Sequence, residues 1–171
     1  MPIPREAYQA LENVVGPDWI SEDPAVCHAY RRGGWFFMTL DYPKGCVPPA
    51  CVVLPSSTEE VQAIVRICNR YKIPFVPVGS GWVAFGSYPT KPDMIVIDMK
   101  RMRKLVIDAK NMYAVVEPGV TYGELHVEAW KKGLWYVTVG SGSQTRVLSN
   151  CLLYTSPSPR DLSTSRMPSS A

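Results

Sequence analysis

The chain has 171 residues, 46% of them apolar, which is enough to bury the core of one ordinary domain. Its formal charge of +3 is too small to argue for a nucleic-acid partner. No apolar run reaches bilayer length and residues 1–6 lack a hydrophobic signal core, so no transmembrane segment and no secretion leader are expected.

Residues 4–15 read as an amphipathic helix with Ala7, Leu11, Val14 and Val15 on one side. A second helix is expected over residues 23–32, carrying His28. Residues 33–49 form a loop-rich connector whose Trp35, Phe36 and Phe37 are expected to cover the domain. Cys51-Val52-Val53-Leu54 has the character of a short buried strand. Pro55-Ser56-Ser57-Thr58-Glu59-Glu60 then opens a helix with a capping box, Ser57 at the N-cap and Glu60 three residues later. Val61, Ile64, Val65 and Cys68 recur at helical spacing and bury one stripe down to about Tyr71. Ile73-Pro74 leads into a strand, completing a β-α-β unit.

That strand empties into the most informative stretch, Phe75-Val76-Pro77-Val78-Gly79-Ser80-Gly81-Trp82-Val83-Ala84-Phe85-Gly86. Gly79 and Gly81 remove side chains at alternate positions, so backbone N–H groups can converge on an anion. Gly79-x-Gly81-x-x-Ala84 satisfies a relaxed dinucleotide fingerprint, and Asp98 stands about 20 residues on, where a ribose-binding acid would sit. That reading needs a helix after the loop, and Gly86, Ser87, Pro89 and Pro92 leave no room for one. An ordinary glycine turn between strands is the bland alternative.

Met94 to Asp98 is the next apolar run, followed by Lys100, Arg101, Arg103 and Lys104, a basic cluster read as a solvated strand start. Residues 104–108 and 113–117 are expected to pair as a hairpin through residues 109–112. Pro118-Gly119 is a turn. Thr121-Tyr122-Gly123-Glu124 is a second capping box, opening a helix that carries His126 and that Gly133 stops. Four of the five cysteines precede residue 151 at irregular spacing, with no C-x-x-C pair. No metal site is expected, and a reducing, cytoplasmic setting is favoured over a disulfide framework, with a peripheral membrane location left open.

Four of these pieces, in order and in spacing, resemble the FAD-binding domain of the vanillyl-alcohol oxidase and p-cresol methylhydroxylase group. They are Pro55-Ser56-Ser57-Thr58-Glu59-Glu60-Val61, Ile73-Pro74-x-x-Pro77-x-Gly79-x-Gly81, Ile95-Val96-Ile97-Asp98-Met99-x-x-Met102 and Val115-Val116-Glu117-Pro118-Gly119-Val120-Thr121. Glycolate oxidase D-type subunits and D-lactate dehydrogenases are similar, and the likeness covers roughly residues 50–133. It implies an α+β fold: the first subdomain of a two-subdomain, PCMH-type FAD-binding fold, with the second subdomain truncated.

The resemblance also implies a site. Val78, Gly79, Ser80, Gly81 and Trp82 would wrap the FAD pyrophosphate through main-chain amides, with Gly86 at the far edge and Pro118-Gly119 approaching from the hairpin. For Trp82 and Phe85, simple packing is the favoured role. Relatives that tether FAD through histidine carry Gly-Gly-His in this loop, where this chain has Ser80-Gly81-Trp82, so non-covalent binding is expected. His28 and His126 are expected to be surface or packing residues. The implied activity is hydride transfer to FAD from a hydroxyl-bearing small molecule, a 2-hydroxy acid or a phenolic alcohol. A non-catalytic nucleotide- or phosphate-binding α/β module is the alternative. Catalytic residues, substrate and electron acceptor are not readable.

Residues 139–150 resemble the start of a second cofactor loop. Residues 151–161 resemble an in-frame translation of a transposase sequencing adapter, and residues 165–171 the primer that follows it. The expected organisation is therefore residues 1–49 as helices and connector, 50–150 as an incomplete FAD-binding domain, and 151–171 as a non-native tail. Setting aside the tail's Arg160, Asp161 and Arg166 leaves the charge balance smaller still. A polypeptide with half a cleft is expected to bind FAD poorly and to be inactive alone.

Overall fold

A computed structural model describes residues 3–31, 47–80, 89–135 and 142–149. Helix α1, Arg5–Val15, buries Ala7, Tyr8, Leu11 and Val15, and Gly16 ends it at a φ of 87°. A short 3-10 turn, Pro17–Trp19, leads to β1, Ile20–Ser21. Helix α2, Pro24–Ala29, is shorter than its sequence suggests; Asp23 caps it through the amides of Ala25 and Val26.

The sheet is built from β2 (Cys51–Val53), β3 (Phe75–Val78) and β4 (Ile95–Asp98), with β1 at one edge in the order β1-β2-β4-β3. β1 runs antiparallel to β2, while β2, β4 and β3 are parallel. The β-α-β unit therefore does not join neighbours: β4 slots between β2 and β3. This central place explains why all four β4 residues are buried. β3 lies at the edge, where Pro77 costs no ladder bond on its open side.

Alternation along the strands sorts the core into two faces. Cys51, Val53, Ile95 and Ile97 face α1 and α3 (Thr58–Tyr71) in one cluster. Val52 and Val96 face the opposite side with Cys27 of α2, joined by Tyr30, Val76 and Val78. The buried stripe of α3 is centred on Ile64 and Cys68, flanked by Ile67 and Tyr71, one step round from the expected Val61 and Val65. Its cap also differs from the expected box. Ser57 accepts from the Glu60 amide, but the Glu60 carboxylate reaches past it to the amide and hydroxyl of Ser56, at 2.7 and 2.8 Å.

A second unit follows a 3-10 turn, Met99–Arg101. Strands β5, Leu105–Asp108, and β6, Tyr113–Val116, form the expected hairpin, with Met112 at a φ of 58°. Helix α4, Tyr122–Trp130, carries the complete capping box between Thr121 and Glu124. The amides of Gly133 and Leu134 bond back to the carbonyls of Trp130 and Ala129, and Gly133 has a φ of 70°. This is a glycine stop of the Schellman type. The expectations for Trp35, Phe36 and Phe37, and for the tail from residue 151, fall outside the described residues.

Candidate functional site at the carboxyl ends of the parallel strands

The three parallel strands end side by side. Val53 pairs with Ile97 and Val78 with Asp98, so the turn after β3 starts next to the last residue of β4. Ligands of open parallel sheets bind at this edge. Val78, Gly79 and Ser80 are half-buried there, whereas Gly81, Trp82 and Gly86 lie outside the described residues.

Asp98 organises the edge. Its even position in β4 places it on the α2 face with Val96, and it is 4% exposed. A buried carboxylate is costly unless donors surround it, and they do. The Tyr30 hydroxyl donates to Oδ2 at 2.7 Å; the Lys100 amide and Arg146 Nη1 donate to Oδ1, each at 2.9 Å. Lys100 Nζ lies 3.5 Å from Oδ2 and donates to the Tyr30 hydroxyl at 3.3 Å. Burial, then the bond to Asp98, holds the Tyr30 phenol proton well above its usual range.

Two cations thus face one carboxylate, leaving a surplus positive charge beside the turn. Arg146 Nη1 also donates to the Gly79 carbonyl, at 2.5 Å. Arg146 itself is positioned by the second unit. Residues 142–149 lie along the start of α4: Thr121 bridges to Arg146, and the amides of Tyr122 and Val147 bond to the carbonyls of Thr145 and Val120 at 2.9 Å.

Gly119 is fastened to the segment that follows Asp98. Its amide donates to the Met102 carbonyl at 2.6 Å. A Cβ at this position would lie 2.5, 2.8 and 2.9 Å from the carbonyl oxygens of Met102, Lys100 and Met99. The glycine of Pro118-Gly119 is thereby explained by backbone packing. The basic cluster of residues 100–104 is no common patch either. Lys100 joins Asp98, Arg101 stacks on Trp19 at 3.8 Å while donating to the Leu54 carbonyl, and Arg103 pairs with Glu124.

His28 is exposed on α2. His126 packs among aromatics, its ring 4.3 Å from that of Trp135. A groove of about 720 Å³ lies between β5 and α4, lined among others by Val106, Ile107, Val120 and Val127. None of residues 78–80 or 98 lines it, so it is distinct from the strand-end site. Sequence reasoning overlooked Tyr30 and Arg146. Asp98 had a legible signal, an acid closing an apolar run; Arg146 lies within residues 139–150, read as the start of a second cofactor loop, but nothing singled it out there.

The residues present fit FAD. Gly79 offers backbone without a side chain at a parallel-strand edge, and the adjoining cluster sets two cations against one carboxylate. The pattern of the FAD binding domain matches residues 49–152. The 4-cresol dehydrogenase (hydroxylating) flavoprotein subunit of Pseudomonas putida is 38% identical over 81 residues, 46% of this chain and 16% of that protein. A glycolate oxidase subunit of Bacillus subtilis is 34% identical over 89 residues, 52% of this chain and 19% of that one. The structure of 4-ethylphenol oxidase from Gulosibacter chungangensis superposes with a TM-score of 0.73 at 26% identity, over 85% of this chain and 29% of that one. The chain spans less than a third of each of these proteins. Its α+β architecture is theirs, and the chain belongs to the FAD binding domain family.

Proposed function

We propose that this chain is the cofactor-binding part of a flavin-dependent oxidoreductase. The proposed diphosphate site is the turn from Val78 through Gly79 and Ser80 into Gly81 and Trp82, with Gly86 as its far edge and Pro118-Gly119 approaching the cofactor from the hairpin. Binding is non-covalent at this loop, which has no histidine. The observation that carries the reading is the turn's place: it leaves the carboxyl end of an edge β-strand beside Asp98, Lys100 and Arg146, inside the stretch that matches the FAD binding domain.

The chemistry that FAD supplies when bound is acceptance of a hydride from a substrate carbon. The named relatives act on a cresol and on glycolate, which supports a phenolic alcohol or a 2-hydroxy acid as the substrate class. The described residues have the narrower role of binding and orienting the diphosphate. The 171 residues alone are proposed to bind weakly and not to turn over, because they span less than a third of each relative named above.

The test is a titration of the 15N-labelled chain with FAD, ADP and riboflavin, followed by NMR. FAD and ADP should shift the amides of Gly79 and Ser80, while riboflavin, which has no phosphate, should leave them in place. A chain whose turn amides ignore both diphosphates does not use this site.

A further inference from the structure

We propose that Arg146 is a positioning residue for the cofactor turn, fixing which way the Gly79–Ser80 peptide faces. The proposal rests on the diphosphate assignment above and adds a residue to it. Arg146 Nη1 has two N–H groups and two acceptors: Asp98 Oδ1 at 2.9 Å and the Gly79 carbonyl at 2.5 Å. Asp98 in turn is held by Tyr30 and by the Lys100 amide, so the guanidinium is aimed by a carboxylate that is itself immobilised. The Arg146 and Asp98 side chains are only 16% and 6% exposed, so solvent screens this pair weakly.

The consequence follows from peptide geometry. In a planar trans peptide the carbonyl and the next N–H point in opposite directions. A Gly79 carbonyl turned toward Arg146 therefore turns the Ser80 N–H away from the buried cluster. The flip turns the Gly79 ψ, which no Cβ restricts, together with the Ser80 φ, where a Cβ does weigh against positive values. The flip would present a carbonyl oxygen where an anion needs a donor. The bond from Arg146 to the Gly79 carbonyl adds to the preference against it, and does so from a segment stitched to α4 by the Tyr122 and Val147 amides. The turn of the first unit is thus set by a side chain of the second.

The experiment uses the 171-residue chain with ADP as the diphosphate probe and riboflavin as the phosphate-free control. R146M should weaken ADP binding on the order of tenfold, the scale of one lost hydrogen bond to a charged group. R146K, which keeps the charge but not the fork, should recover part of that loss. The Val96 and Ile97 amides of β4 report whether each variant is folded. If R146M does not fold, D98N, which loosens the aim of the guanidinium, should weaken ADP in the same direction. Folded R146M or D98N binding ADP within about twofold of the unsubstituted chain would overturn the proposal while leaving the diphosphate site standing. An unsubstituted chain that ignores ADP would remove the site itself, and the role of Arg146 with it.

Discussion

The Tyr30 hydroxyl donates to Asp98 Oδ2 at 2.7 Å across 68 positions of sequence. It ties the C-terminal end of α2 to the last residue of β4, so the helix on one face of the sheet is anchored at the edge that carries the proposed site. Removing that hydroxyl leaves the buried carboxylate one donor short. Y30F should lose about 1.5–3 kcal/mol of stability, read by urea denaturation. Unchanged stability would mean that Lys100 and Arg146 alone satisfy Asp98.

The same phenol gives an alkaline signature. Its proton is held above the ordinary value of 10 in the folded chain, first by burial and then by Asp98. The stabilisation is therefore complete below pH 10 and is lost as pH rises toward the folded value, since the unfolded chain ionises first. Y30F should lack this part of the alkaline decline, comparing melting temperatures across the two pH regions.

Two glycines should respond to alanine for different reasons. G119A drives a methyl against three carbonyl oxygens and should cost about 1–3 kcal/mol or more. G133A meets no atom within 4 Å and pays only for its φ of 70°, about 1 kcal/mol. Denaturation midpoints that rank the two variants the other way would contradict the close approach at Gly119.

Glu124 carries an acid signature at the start of α4. The Thr121 amide first, and Arg103 next, hold its carboxyl below the usual value of 4.5. A depressed group contributes its stabilisation above the unfolded value and loses it as pH falls through the folded one. E124Q keeps a side chain able to close the capping box but cannot titrate there. Its stability should change less than that of the unsubstituted chain below about pH 4.5, by no more than about 1 kcal/mol because the pair is partly exposed.

Cys51 and Cys68 line the core against α1 and α3 with 0% and 1% exposure. Burial pushes the Cys68 thiol up to about 11 and Cys51 higher still. Both should resist a thiol reagent at neutral pH until urea opens the chain, with labelled positions mapped by peptide mass. Fast labelling of Cys51 in the native chain would mean that the sheet's buried face opens readily.

Much of the local structure was legible because its causes are local. The Thr121–Glu124 box, the Gly133 stop and the alternation of residues 51–53 and 95–97 need only neighbours in sequence to express themselves. The α3 stripe was displaced because Val61 and Val65 are apolar enough to fit the period, while only contact with the sheet and α1 selects Ile64, Ile67, Cys68 and Tyr71. The glycine turn announced itself through composition, since the chemistry proposed for it depends on side chains that are missing.

What the residues alone determined, then, were elements whose hydrogen bonds close within a few positions, together with the family pattern they make in order. The tertiary structure alone decided that β4 enters between β2 and β3, and that Tyr30, Asp98, Lys100 and Arg146 meet beside Gly79. An isolated arginine in a polar segment carries no periodicity and no cap. It acquires meaning only when strand order brings a buried carboxylate within 2.9 Å, because Coulomb attraction and desolvation depend on distance in space rather than along the chain.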